Sequence, residues 1–309
     1  MRKIKNLLKN AIVLYYSLPK LVELAYLSIR HSRPRRIIAT LASKGQKCVV
    51  LGNGPSLKND IDNLRNQIGT CDFFSVNHFA DGDAFDVLKP IFYIFLDPYF
   101  WSSNVTETYK EKRSRTFENI KHKVTWGITI FIPSYADPVV FEGLKSNKCI
   151  KIFRYNGVGV TGVPHSLYCS LMKTGFCAPY AINVVHHAIF SAMRMGYKAI
   201  DVYGIDSSVL QSFEVDQKTN QVYVVHKHYY GELRTIPNEA GLAKFPLTLA
   251  QCLQKEIDIF IGYEILSAYA RKENIDLRNN SFFSLVDSLK RTVSADTAGA
   301  CGNLEVTAP

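Results

Sequence analysis

A tight polar turn and a histidine-rich loop carry most of the chemistry this chain could do. The run Cys48-Val49-Val50-Leu51 is apolar and β-branched, and it stops at Gly52-Asn53-Gly54-Pro55-Ser56-Leu57-Lys58. That is the pattern of a strand, a tight turn and a helix that starts at Ser56 or just after. Glycines in such a turn let the backbone approach a bound group closely. The free N–H groups of the helix start, at the positive end of its dipole, favour a phosphate or another anion. The spacing is neither GxGxxG nor a P-loop, so the turn is of nucleotide type outside those two fingerprints. An ordinary strand-to-helix turn is the alternative. Further on, His226–Glu232 holds the best acid–base groups. A histidine of pKa about 6.5 takes a proton from an attacking hydroxyl at neutral pH, so His228 or Glu232 is the candidate base. Rings that merely cover a pocket are the competing reading. Asp81-Gly82-Asp83 is an Asp-x-Asp pair of the kind that holds a divalent ion on a nucleotide diphosphate, and equally an ordinary turn. His226 and His228 share one side of an extended strand but lack a third ligand at a telling distance. His186-His187 reads as helix surface plus core. No metal site is expected.

These groups need a scaffold, and the chain alternates strand and helix signals. Strands are expected at 48–51, 73–76, 90–96, 125–133, 150–153, 199–203 and 275–277. Helices are expected at 60–67, 107–123, 181–195 (closed by Gly196), 246–273 and 281–291. Alternation of this kind predicts an α/β fold: a Rossmann-like, mainly parallel sheet with helices on both faces. Ser207–Arg234 is polar, with a strand-like patch at Gln221–Val225, and reads as a lid segment. Ligands of open α/β sheets bind outside the carboxyl ends of strands. The residues there are Gly52, Asn53, Gly54 and Ser56, then Asn77 and His78, Asp97 and Tyr99, Gly204 and Asp206, and Asn279, Asn280 and Ser281. Neutral amides and hydroxyls dominate, which points to a ligand held by hydrogen bonds.

The 309 residues suffice for one large domain or two small ones, and 47% hydrophobic against 21% charged residues predicts a packed core. Seven cysteines, an odd number without paired CxxC spacing, argue against a disulfide framework or a zinc site and for a reducing compartment. The net charge of +10 is unevenly placed. Residues 1–45 carry ten basic side chains against one acid, Glu23, a surplus of nine. A nucleic-acid binder spreads its basic residues over a folded face, so no nucleic-acid partner is expected. The arm is also apolar from Ala11 to Ile29, but Lys20 and Glu23 interrupt it and Pro19 kinks it. It makes a poor spanning helix and a poor signal peptide. Basic flanks with Tyr15, Tyr16 and Tyr26 suit an amphipathic helix, residues 1–30, lying on an anionic membrane surface; packing on the domain or on a partner chain is the alternative. The expected organisation is a basic amphipathic arm (1–45), a Rossmann-like domain (46–291, lid about 207–234) and a disordered tail of small and polar residues (292–309).

The chain resembles bacterial sialyltransferases of glycosyltransferase family 42. The shared features are the apolar strand into Gly52-Asn53-Gly54-Pro55-Ser56-Leu57-Lys58, Asn77 ending the second strand, and an aromatic strand ending in Asp97-Pro98. Later come helix, Gly196-Tyr197-Lys198, strand and Gly204-Ile205-Asp206, a lid with His228-Tyr229-x-Gly231, and a closing strand before Asn280-Ser281. The signposts span about residues 48–290. The glycine turn is shared in looser form with a wider Rossmann-like set that includes archaeal pterin diphosphokinases. The resemblance implies a CMP-sugar donor, no cofactor and no required metal, inversion at the anomeric carbon, nucleotide contacts from Asn53 and Asn77, and a lid histidine as base. Residue by residue, the family's second phosphate-side asparagine corresponds to Asp97. Its Thr-Ser-Gly turn corresponds to about Asn183-Val184-Val185. Its phosphate-holding lid tyrosines have no match after Asp206, leaving Tyr223 or Tyr230 to substitute. Its base histidine falls at Glu232, while His228 matches an earlier histidine.

The expectation is a glycosyltransferase moving a sialic acid-like sugar from a CMP-sugar to a surface glycan or lipooligosaccharide. It would be cytoplasmic, peripheral to the inner membrane and open to homo-oligomer formation. Its nucleotide-binding residues would be Gly52, Asn53, Gly54, Ser56, Asn77, Asp97, Asn183, Gly204, Asp206 and Tyr230. A Mg-dependent diphosphokinase-like enzyme and a non-catalytic nucleotide-binding protein of polysaccharide assembly are the alternatives.

Overall fold

The computed structural model describes residues 17–30, 46–180, 183–237 and 246–292. The expected tail, from 293 on, and most of the expected arm lie outside the described residues. The described part of the arm, 17–30, is helical (α1). Then follow β1 (Lys47–Leu51), α2 (Leu57–Arg65), β2 (Asp72–Val76), α3 (Ala84–Leu88), β3 (Phe92–Ile94), α4 (Glu107–Lys123), β4 (Ile128–Pro133) and β5 (Ile150–Tyr155). The chain continues through α5 (His165–Lys173), α6 (Val184–Arg194), β6 (Ala199–Tyr203), β7 (Phe213–Val215), β8 (Val222–His228), β9 (Gly231–Thr235), α7 (Leu249–Lys272) and β10 (Asp276–Asn279).

Seven strands form one parallel sheet in the order β10-β6-β1-β2-β3-β4-β5. The chain builds outward from β1 to β5, then returns to place β6 on the other side of β1. Strand order therefore reverses between β1 and β6. In β1, Cys48 and Val50 enter one core and Val49 and Leu51 the other, as strand alternation requires. The first core is closed by α1, α5, α6 and α7, and the second by α2, α3 and α4. Burial on both faces is why β1 reads as an unbroken apolar run. The six cysteines among the described residues are all unpaired.

One expectation is extended and one is corrected. Ser207–Arg234, expected as a lid segment with a strand-like patch at Gln221–Val225, holds most of a second, antiparallel sheet in the order β7-β8-β9. Residues 281–291 form no helix. Their side chains compete for backbone groups instead: Ser281 Oγ accepts from Ile205 N–H at 3.1 Å, and Ser284 Oγ donates to Ile205 O at 2.6 Å. The segment is thereby laced onto the end of β6. Helix α5 has no sequence expectation to match. By contrast, β6 and α4 match the expected bounds, and Gly196, at φ 96°, stops α6 as expected.

Candidate active site

The loops leaving β1 and β6 run together. Gly52 N–H donates to Tyr203 O and Gly54 N–H to Gly204 O, each at 2.8 Å. A Cβ on Gly52 would overlap the Gly204 carbonyl, and one on Gly54 would lie 2.6 Å from Asp206 Cγ. The glycines are thus required by the approach of one loop to the other. The start of α2 is also occupied: Ser56 N–H donates to Asp206 Oδ2 at 2.8 Å, and Ser56 Oγ to Oδ1 at 2.5 Å. The N–H groups of Leu57, Lys58 and Asn59 turn back to the carbonyls of Gly54, Pro55 and Ser56. The expectation of free amides for a phosphate is therefore corrected. The positive end of α2 faces the protein's own carboxylate, which is favourable at a helix N-terminus. Burial pushes the Asp206 carboxyl up, and the Ser56 hydrogen bonds draw it back.

Asn53 faces elsewhere. Its side chain lines two adjoining hollows of about 300 and 210 Å³, which also share Asn77, Val209, His228 and Glu256. The larger is walled by Asp97, Tyr99, Lys112, His226 and Tyr230; the smaller reaches Asn183, Gly204 and Asp206. Together they make a cleft over the carboxyl ends of the central strands, at the reversal of strand order where open α/β sheets bind ligands.

Each wall has its own anchor. Asn53 Nδ2 donates to Val76 O at 3.2 Å, while its Oδ1 is buried without a partner. Asn77 sits at φ 45°, a left-handed conformation that asparagine tolerates. Its side chain accepts from Leu96 N–H at 3.3 Å and donates to Asp97. On β8, His226 and His228 alternate onto the same side, with rings 6.3 Å apart and nearly parallel; His228 stacks on Tyr230 at 5.1 Å. The β8–β9 turn is fastened by Tyr229, whose N–H donates to Asn53 O at 3.1 Å and whose hydroxyl donates to Phe79 O at 2.6 Å. Gly82 leaves space for that ring: a Cβ there would lie 2.5 Å from Tyr229 Cζ.

Helix α4 presents Lys112 to the cleft. Its placement is set by a buried chain in which Tyr99 Oη meets His78 Nε2 at 2.8 Å and His78 Nδ1 meets Thr116 Oγ1 at 2.6 Å. Thr116 donates to Asp81 Oδ1 at 2.9 Å, as does Asn119 at 3.1 Å, and Arg115 pairs with Asp81 Oδ2 at 3.0 Å. Asp81 is thus consumed by α4, and Asp83 is exposed, so the Asp-x-Asp pair serves as a structural turn. Helix α7 presents Glu256. This helix starts with a capping box in which Thr248 Oγ1 accepts from Gln251 N–H and Gln251 Oε1 accepts from Thr248 N–H.

Burial governs the charges. It pushes the Glu256 carboxyl up to about 7. It pushes Asp97 up to about 6, opposed by the Tyr99 hydrogen bond and Lys112. It lowers His228 to about 3 and His226 to about 4, with Lys112 adding to both. Burial also lowers Lys112, opposed by Asp81. At neutral pH both imidazoles are therefore uncharged, and Glu256 is poised near its midpoint.

Of the residues singled out from sequence, the structure brings Asn53, Asn77, Asp97, His228 and Tyr230 to the larger hollow and Gly54, Asn183, Gly204 and Asp206 to the smaller. Asn183 also caps α6, its side chain accepting from Val185 N–H at 2.8 Å. Gly52 and Ser56 line neither hollow. Glu232 is exposed on β9 opposite Lys227 and lines neither. Sequence reasoning missed Lys112 and Glu256. The signal was present: Lys112 stands four residues before Thr116 and eight before Ile120, and Glu256 stands four after Cys252 and seven before Tyr263. Each is a charge placed on a buried helical stripe.

No family model and no curated protein matches this chain. Among solved structures, it is similar to the MAf glycosyltransferase from Magnetospirillum magneticum AMB-1, at 12% identity and a TM-score of 0.46, over 86% of this chain. The match covers 39% of that protein's length.

Proposed function

We propose that this protein is a glycosyltransferase that moves a sialic acid-like sugar from a CMP-sugar to a glycan or glycolipid hydroxyl, with Glu256 as the base. The observation that carries the reading is one cleft, at the reversal of strand order, that joins a cation (Lys112), two uncharged imidazoles (His226, His228), an amide (Asn53) and a buried carboxylate (Glu256). The nucleotide lies in the smaller hollow by Asn183 and Gly204, and its phosphate faces Lys112 and His228. The acceptor oxygen attacks the anomeric carbon, forming the new C–O bond as the bond from that carbon to the phosphate oxygen breaks. The electron pair leaves with the phosphate, and the acceptor proton passes to Glu256.

A base works best with a pKa near the working pH, which favours Glu256 over His228 and over the exposed Glu232. His228 then donates a hydrogen bond to the leaving phosphate, whose charge raises the imidazole pKa and strengthens that bond. Metal-independent chemistry is supported by the engagement of the other carboxylates: Asp81 by Arg115, Asp206 by Ser56 and Asp97 by Asn77.

Slow donor consumption with water as acceptor tests this. CMP release from a CMP-sialic acid is expected without Mg²⁺, and to fall by roughly 10²–10⁴-fold in Glu256→Gln. Consumption of ATP that stops in a chelator identifies a diphosphokinase and overturns the reading. Nucleotide binding with no turnover of CMP- or UDP-sugars identifies a non-catalytic protein and overturns it too.

A further inference from the structure

Helix α1 carries two different apolar faces. One is fixed to the domain: Leu24 is fully buried, Ser17 Oγ donates to Gly162 O at 3.1 Å, and Ser28 Oγ donates to Phe176 O at 2.6 Å. The other is turned outward. Leu18, Val22 and Tyr26, spaced four apart, are 55%, 61% and 60% exposed. Residues spaced four apart share one side of a helix, so this is a stripe and not scattered exposure. Lys20 and Arg30 flank it; Lys20 pairs with Glu23, and Arg30 donates to Tyr26 Oη at 3.2 Å. Among the described residues, no helix is long and apolar enough to cross a membrane.

We propose that the Leu18–Val22–Tyr26 face is a docking surface for an anionic lipid bilayer, on which α1 lies flat and holds the domain in a set orientation. Charge complementarity selects the occupant: the surplus of nine positive charges within residues 1–45 matches an acidic headgroup layer. An apolar stripe with a tyrosine beside cationic side chains suits the headgroup–acyl boundary. The opposite face gives the orientation. Helix α1 is tied to the domain at Gly162 and Phe176, so the domain is carried in a fixed relation to the bilayer. The proposal stands on the exposed face of α1 and the charge of residues 1–45, and holds whatever the cleft binds.

The full chain, mixed with phosphatidylglycerol–phosphatidylethanolamine vesicles and with phosphatidylcholine vesicles, is separated by sedimentation. Binding is expected to the first and not the second, and to weaken with added salt, since electrostatic attraction is screened. A Leu18→Gln, Val22→Gln, Tyr26→Gln variant is expected to lose ~10-fold or more of the partitioning, with an unchanged melting temperature because all three side chains are exposed. Equal partitioning of variant and wild type overturns the proposal, as does absence of binding to either vesicle. A dimer in sedimentation equilibrium that dissociates in the variant also overturns it, because the face then belongs to a second copy of the chain.

Discussion

Gly52→Ala separates two reasons for a glycine in the β1 turn. If the residue is there for the approach of a ligand, the substitution leaves the unliganded protein intact. If it is there for the approach of the β6 loop, the unliganded protein itself suffers. A Cβ at Gly52 lies 2.9 Å from the Gly204 carbonyl carbon and closer to its oxygen, against an ordinary carbon–carbon separation of about 3.5–4.0 Å. The loops must part by roughly 0.5–1 Å, which carries the 2.8 Å bonds from Gly52 to Tyr203 and from Gly54 to Gly204 out of good range. Overpacking costs about 1–3 kcal/mol, and each of the two buried bonds left unmade about 1–3 kcal/mol, so ~3–9 kcal/mol in all. At roughly 2.1 cal/mol/K per residue, 309 residues unfold with an entropy near ~0.65 kcal/mol/K. The melting temperature of Gly52→Ala should therefore fall by about 5–14 °C in calorimetry without ligand. Gly127→Ala, where a Cβ meets nothing within 4 Å, should melt like wild type. A Gly52→Ala protein that melts with wild type but loses nucleotide binding refutes the reasoning.

Glu256→Gln should stabilise the free protein at pH 8 by about 1–3 kcal/mol and change little at pH 4. Burial raises the folded pKa to about 7 from 4.5, so the acid contributes fully below about pH 4.5 and its contribution is lost as pH rises through 7. Denaturant melts at the two pH values check this, and equal effects at both contradict it. Tyr229→Phe removes the bond to Phe79 O and should speed amide exchange across residues 222–235, which mass spectrometry reads; unchanged exchange means the ribbon is held by something else. Asp81→Asn should cost about 2–3 kcal/mol, because Arg115, Thr116 and Asn119 all rely on that carboxylate. A variant as stable as wild type would return Asp81 to the candidates for metal binding.

The central strands were legible because β1 and β6 are buried on both faces and each runs into a glycine, Gly52 and Gly204. Ala199–Tyr203 needs no more than that pattern. The ribbon was partly legible: the alternation that puts His226 and His228 on one side shows in the sequence, but β7 is only three residues long and β9 is polar, and both become strands only by pairing with β8. The segment 281–291 misled because its apolar spacing suits a helix, while Ser281 and Ser284 find better partners at the β6 loop. The glycine turn was found for the wrong physical reason, since nothing local to it reveals that Asp206, 150 residues away, caps Ser56. Lys112 and Glu256 were hidden within charged helices, where a solvated side chain and a buried one look alike unless their phase with the apolar stripe is counted.

We propose that the cleft between Asn53, Lys112 and His228 receives the phosphate of a cytidine nucleotide. Calorimetric titration of CMP into the wild type and into Lys112→Met, at neutral pH without Mg²⁺, tests it most directly. Saturable binding to the wild type is expected, with a loss of ~10-fold or more in Lys112→Met, since hydrogen bonds to charged groups are worth about 1.5–3 kcal/mol. No heat with the wild type, or equal affinity in the two proteins, would contradict it.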